Sequence, residues 1–109
     1  MATAFKNKIL TEVGSTEVTL LEVDSGARAT VVGFSITNLT EGVVIVSVYV
    51  TDDADVKGHF VKNTAVPGNQ SLRVVNGGEK LMLPGGNKIS IKANQENAID
   101  VILSYVEIV

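Results

Sequence analysis

The stretch Thr30-Val31-Val32-Gly33-Phe34-Ser35-Ile36-Thr37 puts Val32, Phe34 and Ile36 at alternate positions, with small or polar residues mostly between them. A period of two lets a strand turn one face to a core and the other to water. Lys88-Ile89-Ser90-Ile91-Lys92-Ala93 repeats the pattern without a break. Val alone supplies 18 of the 109 residues, and branching at Cβ suits a pleated surface better than a helix.

Working outward from these runs, turn residues divide the chain at short intervals. Phe5 to Glu12 and Ser15 to Val23 read as strands broken at Gly14, and Asp24-Ser25-Gly26-Ala27 reads as the loop before Arg28. Asn38-Leu39-Thr40-Glu41-Gly42 is expected to turn the chain into Val43 to Thr51 as a hairpin. Asp52-Asp53-Ala54-Asp55 turns it again into Val56 to Val61. Gln70 to Val75 ends at Asn76-Gly77-Gly78, and Lys80 to Leu83 ends at Pro84-Gly85-Gly86. A final strand runs from Ala98 to Val109. The pattern predicts an all-β chain forming one β-sandwich over residues 1–109, jelly-roll or Ig-like, with about eight short, mostly antiparallel strands.

Composition removes several classes of function. Apolar residues make up 45% with a net charge of only -3, so disorder is not expected. No apolar run is long enough for a spanning helix, so no membrane partner is expected. The sequence lacks Cys, hence any disulfide framework or thiolate metal site. An acidic balance with nine basic residues argues against a nucleic-acid partner. The opening Met1-Ala2-Thr3-Ala4-Phe5-Lys6-Asn7-Lys8 lacks the apolar segment of a secretory signal.

Two segments carry apolar residues on both faces, which a two-layer sandwich does not need. In Val43 to Val50, the even positions Val44, Val46, Val48 and Val50 make one apolar face while Val43, Ile45 and Tyr49 emerge on the other. In Ile99 to Val109, Val101, Leu103 and Tyr105 make one face, and Ile102, Val106 and Ile108 the other. Val43, Ile45, Tyr49, Ile102, Val106 and Ile108 are therefore the expected contact residues between subunits. Burying six such side chains contributes roughly 10 kcal/mol gross, against about 4–15 kcal/mol of lost rigid-body freedom. A homo-oligomer or larger assembly with several contacts per subunit is the expected outcome. The strand pattern running to Val109 fits a terminus packed against a neighbour or within the domain.

Residues able to support chemistry do not assemble into a known pattern. His59 is the sole histidine; the nearby Asp52, Asp53 and Asp55 could orient it, but no serine or threonine is singled out as its nucleophile. Asp52, Asp53 and Asp55 offer oxygens but lack the spacing of a calcium loop; they read as turn formers. Asn76-Gly77-Gly78-Glu79-Lys80 and Pro84-Gly85-Gly86-Asn87-Lys88 lack the spacing and the helix of a phosphate loop. Asn38-Leu39-Thr40 matches a glycosylation triplet. The aromatics Phe5, Phe34, Tyr49, Phe60 and Tyr105 fall mostly at expected core positions rather than on an exposed stacking platform. Neither catalytic residues, cofactor nor metal is expected, and the chain reads as noncatalytic.

Ser71-Leu72-Arg73-Val74-Val75-Asn76-Gly77-Gly78-Glu79-Lys80-Leu81, the ending Val101 to Val109, and the opening Phe5-Lys6-Asn7-Lys8 with Glu12-Val13-Gly14 together resemble small virion structural proteins of tailed bacteriophages, especially contractile-tailed phages of cyanobacteria. The resemblance implies a noncatalytic β-sandwich of the virion, made in the host bacterial cytoplasm. Its expected role is capsid decoration, cementing copies of itself to other virion proteins such as the major capsid protein. The alternatives are a tail, neck or baseplate component, or a carbohydrate-binding sandwich module.

Overall fold

The alternating runs fold as strands in a computed structural model of the chain, which describes residues 2–75 and 80–109. Nine strands form among the described residues: β1 (Thr3–Val13), β2 (Val18–Glu22), β3 (Arg28–Asn38), β4 (Val44–Thr51), β5 (Lys57–Val66), β6 (Ser71–Val75), β7 (Leu81–Leu83), β8 (Lys88–Ala93) and β9 (Ile99–Ile108). One sheet has the order β1-β9-β3-β6, with β7 also on β3; the other has the order β2-β8-β4-β5. The inner faces close on a core that includes Val31, Ile36, Val101 and Leu103 from one sheet and Val46, Val48, Ile89 and Ile91 from the other.

The pairing is nested and antiparallel. β1 pairs with β9, β2 with β8, β3 with β6 and β7, and β4 with β5. The chain is thus one long hairpin, folded at the β4–β5 turn and rolled so that β9 also meets β3 and β8 also meets β4. This is the double Greek key of a jelly roll, and it decides between the two expected sandwiches. β6 and β7 pair with successive parts of β3, Thr37 to Phe34 and then Val31 to Ala29, so they form one interrupted edge. The expected turn at Asn76-Gly77-Gly78 lies outside the described residues.

Asn38 to Gly42 is not the turn of a hairpin. β3 and β4 lie in different sheets, and the segment between them is the corner. Asn38 is only 1% exposed. Its Nδ2 donates to the carbonyls of Gly42 at 2.8 Å and Val66 at 2.9 Å, while its Oδ1 accepts from the Thr40 N–H and hydroxyl, each at 2.8 Å. One amide therefore satisfies the backbone where ladder bonding stops. Gly68 crosses so close beneath the Glu41 carbonyl that a Cβ would collide with it, so this corner admits glycine alone there. Burial of Asn38 also removes it as a glycan acceptor.

Bulges account for the other departures from the sequence pattern. The register of β3 against β9 shifts between Val31 and Gly33. Val31 turns inward at 0% exposure and Val32 outward at 41%, so Val32 does not share the inner face of Phe34 and Ile36. The strand expected over Val56 to Val61 is β5, and it runs on through Lys62-Asn63-Thr64 to Val66. Asn63 takes φ 45° there. Its N–H donates to Ser47 Oγ at 3.0 Å, which in turn donates to its Oδ1 at 3.2 Å. A left-handed residue inside a strand is tolerated when it is asparagine at a bulge.

At the same end of the sandwich as Asn38, the β1–β2 turn is tied to the β8–β9 turn. The Ser15 N–H and hydroxyl both donate to the Glu96 carboxylate. These bonds hold Glu96 below the ordinary carboxylate value. With a depressed folded value, its contribution to stability is present above the ordinary pKa and is lost as pH falls through the depressed one. In Ser15→Ala the Glu96 titration should move upward toward the ordinary range, as read by carboxyl-carbon NMR. Asn38→Ala should lower stability by about 3 kcal/mol, because it strands buried carbonyls and N–H groups; urea unfolding followed by circular dichroism measures this.

Candidate functional site

Side chains of paired residues in an antiparallel ladder share a face. That rule maps the outer face of the five-stranded sheet. One row across it is Ile9, Ile102, Ser35 and Arg73; another is Phe5, Val106, Thr30 and Met82. Between them lies a low row of Asn7, Ser104 and Gly33, in which the Ser104 hydroxyl donates to Asn7 Oδ1 at 3.2 Å. The bulge adds Val32 beside this row. Ile108 continues the apolar surface toward Arg28. The result is two apolar ridges flanking a groove of small residues.

Exposure on this face is large. Phe5 is 85% exposed and Ile102 47%, and Ile9, Val32 and Met82 are exposed with them. Two shallow depressions shape the surface. One of about 410 Å³ lies between Thr30, Met82 and Ile108, and one of about 230 Å³ between Val32, Ser35, Arg73 and Ile102.

The six residues expected at a subunit contact divide between the two sides of the molecule. Ile102, Val106 and Ile108 share the face just described. Val43, Ile45 and Tyr49 belong to the four-stranded sheet and its approach, on the opposite side. Val43 stands exposed ahead of β4 and Ile45 is half-buried. Tyr49 is 8% exposed because its own chain covers it. Lys57 Nζ sits 4.4 Å from the ring centroid, and the His59 ring lies 4.8 Å away. Lys57 also binds the Glu17 carboxylate at 2.7 Å, so its stem is drawn across the tyrosine.

The sequence pattern placed Phe5 with the core aromatics, and the structure corrects this. Phe34, Tyr49 and Tyr105 are buried, whereas Phe5 and Phe60 are exposed. In Phe5-Lys6-Asn7-Lys8-Ile9 the alternation itself is real, but its polarity is inverted. Phe5 and Ile9 face outward, while Lys6 and Lys8 share the inner side with Tyr105 and Leu103. β1 is the sheet edge, and these lysines lie beyond the cover of the opposing sheet. Lys6 meets Glu107 at 2.7 Å, and that bond holds its pKa above the ordinary lysine value. Ile9, Val32 and Met82 likewise join the face without having been marked by the sequence.

The residues with chemical potential are engaged in structure. Asp52 Oδ1 accepts the N–H groups of Ala54 and Val56, each at 2.9 Å, which is an Asx turn. No group of three His, Cys, Asp or Glu residues able to hold a metal ion occurs among the described residues. Pro84 to Lys88 forms a tight turn in which Gly86 has φ 88° and its N–H donates to the Val23 carbonyl at 2.8 Å. His59 packs on Tyr49 and makes no side-chain hydrogen bond among the described residues.

No protein-family model matches the chain, and no curated protein matches it. Among solved structures, the fold is similar to that of a chain in the structure of infectious bursal disease virus, Gt strain, with a TM-score of 0.51 at 7% identity. The match covers 97% of this chain and 32% of that one, so the chain spans about a third of its neighbour's length. A chain of the infectious bursal disease virus VP2 subviral particle gives a TM-score of 0.32 at 7% identity, covering 96% of this chain and 41% of that one. Hydroquinone 1,2-dioxygenase from Sphingomonas sp. TTNP3 gives 0.25 at 13% identity, covering 94% and 59%. The first likeness is one of fold; at their TM-scores the other two decide nothing.

The two sides of the molecule should respond differently to truncation. In the isolated subunit, at protein concentrations too low for association, Phe5→Ala should leave stability within about 0.5 kcal/mol of the parent. Tyr49→Ala should cost about 3 kcal/mol, with both values read from urea unfolding midpoints.

Proposed function

We propose that the protein is a noncatalytic structural component of a tailed-bacteriophage virion, attached to the capsid as a decoration protein that cements neighbouring subunits. The observation that carries this reading is the apolar outer face of the five-stranded sheet. A lone sandwich gains nothing by holding Phe5, Ile9, Ile102 and Met82 in water, and contiguous exposed apolar area marks a contact surface. The fold supports the reading at its own level, since part of a chain in the structure of infectious bursal disease virus has a similar fold. The resemblance of residues 71–81 and 101–109 to phage virion proteins supports the bacteriophage assignment.

Cementing follows from repetition. Copies joined to one another through this face carry several shell contacts on one unit, each of them weak alone. Each contact, once made, raises the effective concentration for the next. The partners are copies of the same chain and the major capsid protein, met in the host cytoplasm during particle assembly.

Immunogold labelling of purified phage particles, with antibody raised against the recombinant chain, tests the proposal. Label over the capsid shell is expected. Label confined to the tail or neck, or particles free of label, would overturn the decoration role.

A further inference from the structure

The route by which copies meet is restricted by the edges. β1 is a long outer strand, Thr3–Val13, whose backbone could extend the sheet. Its lysines stand against that. In an antiparallel pairing of two β1 strands centred on Asn7, each Lys6 would face the Lys8 of the other copy, and charged side chains on an edge are a common guard against such growth. The outer face of the same sheet carries no such guard. Its charged residues Arg28, Arg73 and Asp100 lie at the ends and far edge, around an uncharged centre.

We propose that two copies pack face to face through the outer surfaces of their five-stranded sheets, with a two-fold axis between them running across the strands. This names the partner at the surface already assigned to assembly and rests on that assignment. Four strand columns about 4.8 Å apart and some nine residues long give a face of roughly 600 Å² per copy, or about 1,200 Å² in all. That reaches the lower end of the range for specific complexes.

The face is also suited to meet itself. An axis across the strands exchanges their two ends, so the Phe5–Val106 ridge of one copy meets the Ile9–Ile102 ridge of the other. The same operation brings Arg28, at one end, toward the end that carries Asp100 in the second copy. The low row of Asn7, Ser104 and Gly33 falls on the axis, where close approach is needed, with Val32 beside Gly33 at its β3 end. An isologous contact requires this kind of self-complementarity. On the opposite sheet Lys57 and His59 already cover Tyr49, and exposed Val43 lies outside the strands, ahead of β4.

The lack of cysteine in the sequence gives a clean test. Single variants Ser104→Cys, near the axis, and Thr19→Cys, on the outer side of β2, are treated with bismaleimidoethane. Sedimentation velocity is run in parallel on the parent chain, Ile102→Asp and Ile45→Asp, with circular dichroism confirming that each folds. The parent and Ile45→Asp should sediment as dimers, and Ser104→Cys should cross-link while Thr19→Cys does not. Ile102→Asp should weaken the dimer at least about thirtyfold. A monomeric parent, equal cross-linking at both positions, or a dimer unaffected by Ile102→Asp would overturn the proposal. A monomer that still labels the capsid would defeat this dimer and leave the decoration role standing; a dimer absent from particles would do the reverse.

Discussion

Every feature of the molecule depends on the closure of two inner faces, β3 and β9 against β4 and β8. Ile36, Leu103, Ile89 and Ile91 are among the fully buried side chains at that seam, and each contributes about 1.5–3 kcal/mol by leaving water. Because side chains alternate, committing one face of each strand to the seam commits the other to the outside. The outer surfaces are therefore consequences of the core, and their character is set by whatever residues the alternation leaves over.

Bulges adjust that bookkeeping locally. The Val31/Gly33 shift in β3 lets Val31 and Phe34 both point inward although three positions separate them. Val32 is expelled to the outer face by the same step. The Asn63 bulge bends β5 without ending it, and the β1 bulge places Glu12 at φ 53° with its N–H donating to Asp100 at 3.0 Å. In each case a polar side chain or the extra residue absorbs the mismatch while the inner face keeps its register.

The two outer surfaces resolve the surplus of apolar residues in opposite ways. On the four-stranded sheet the chain covers its own tyrosine with the Lys57 ammonium, itself anchored by Glu17, and with the His59 ring. On the five-stranded sheet Phe5 stands 85% exposed and Ile102 47%, with Arg73 and Asp100 toward the margins of the face. The two sides therefore differ in how far the chain covers its own apolar residues, though Val43 and Phe60 stay exposed beside the four-stranded sheet.

Much of this was legible in the residues alone. The period of two, the glycine and asparagine punctuation and the weight of Val, Ile and Thr determined an all-β sandwich, with the limits of most strands but not those of β2 and β5. The second apolar face of β9, through Ile102, Val106 and Ile108, was visible because it is a property of one strand. What the sequence did not contain was the identity of the neighbours. Whether Asn38 opens a hairpin or a corner, whether Phe5 or Lys6 faces the core side, and whether Tyr49 is covered all depend on which distant strands lie alongside. Pairings such as Phe5 with Val106 and Tyr49 with His59 come from rolling the nested hairpin, and only the tertiary structure decides them. Alternation along a strand is enforced by local backbone geometry, whereas the side on which water is excluded is set by the sheet packed opposite.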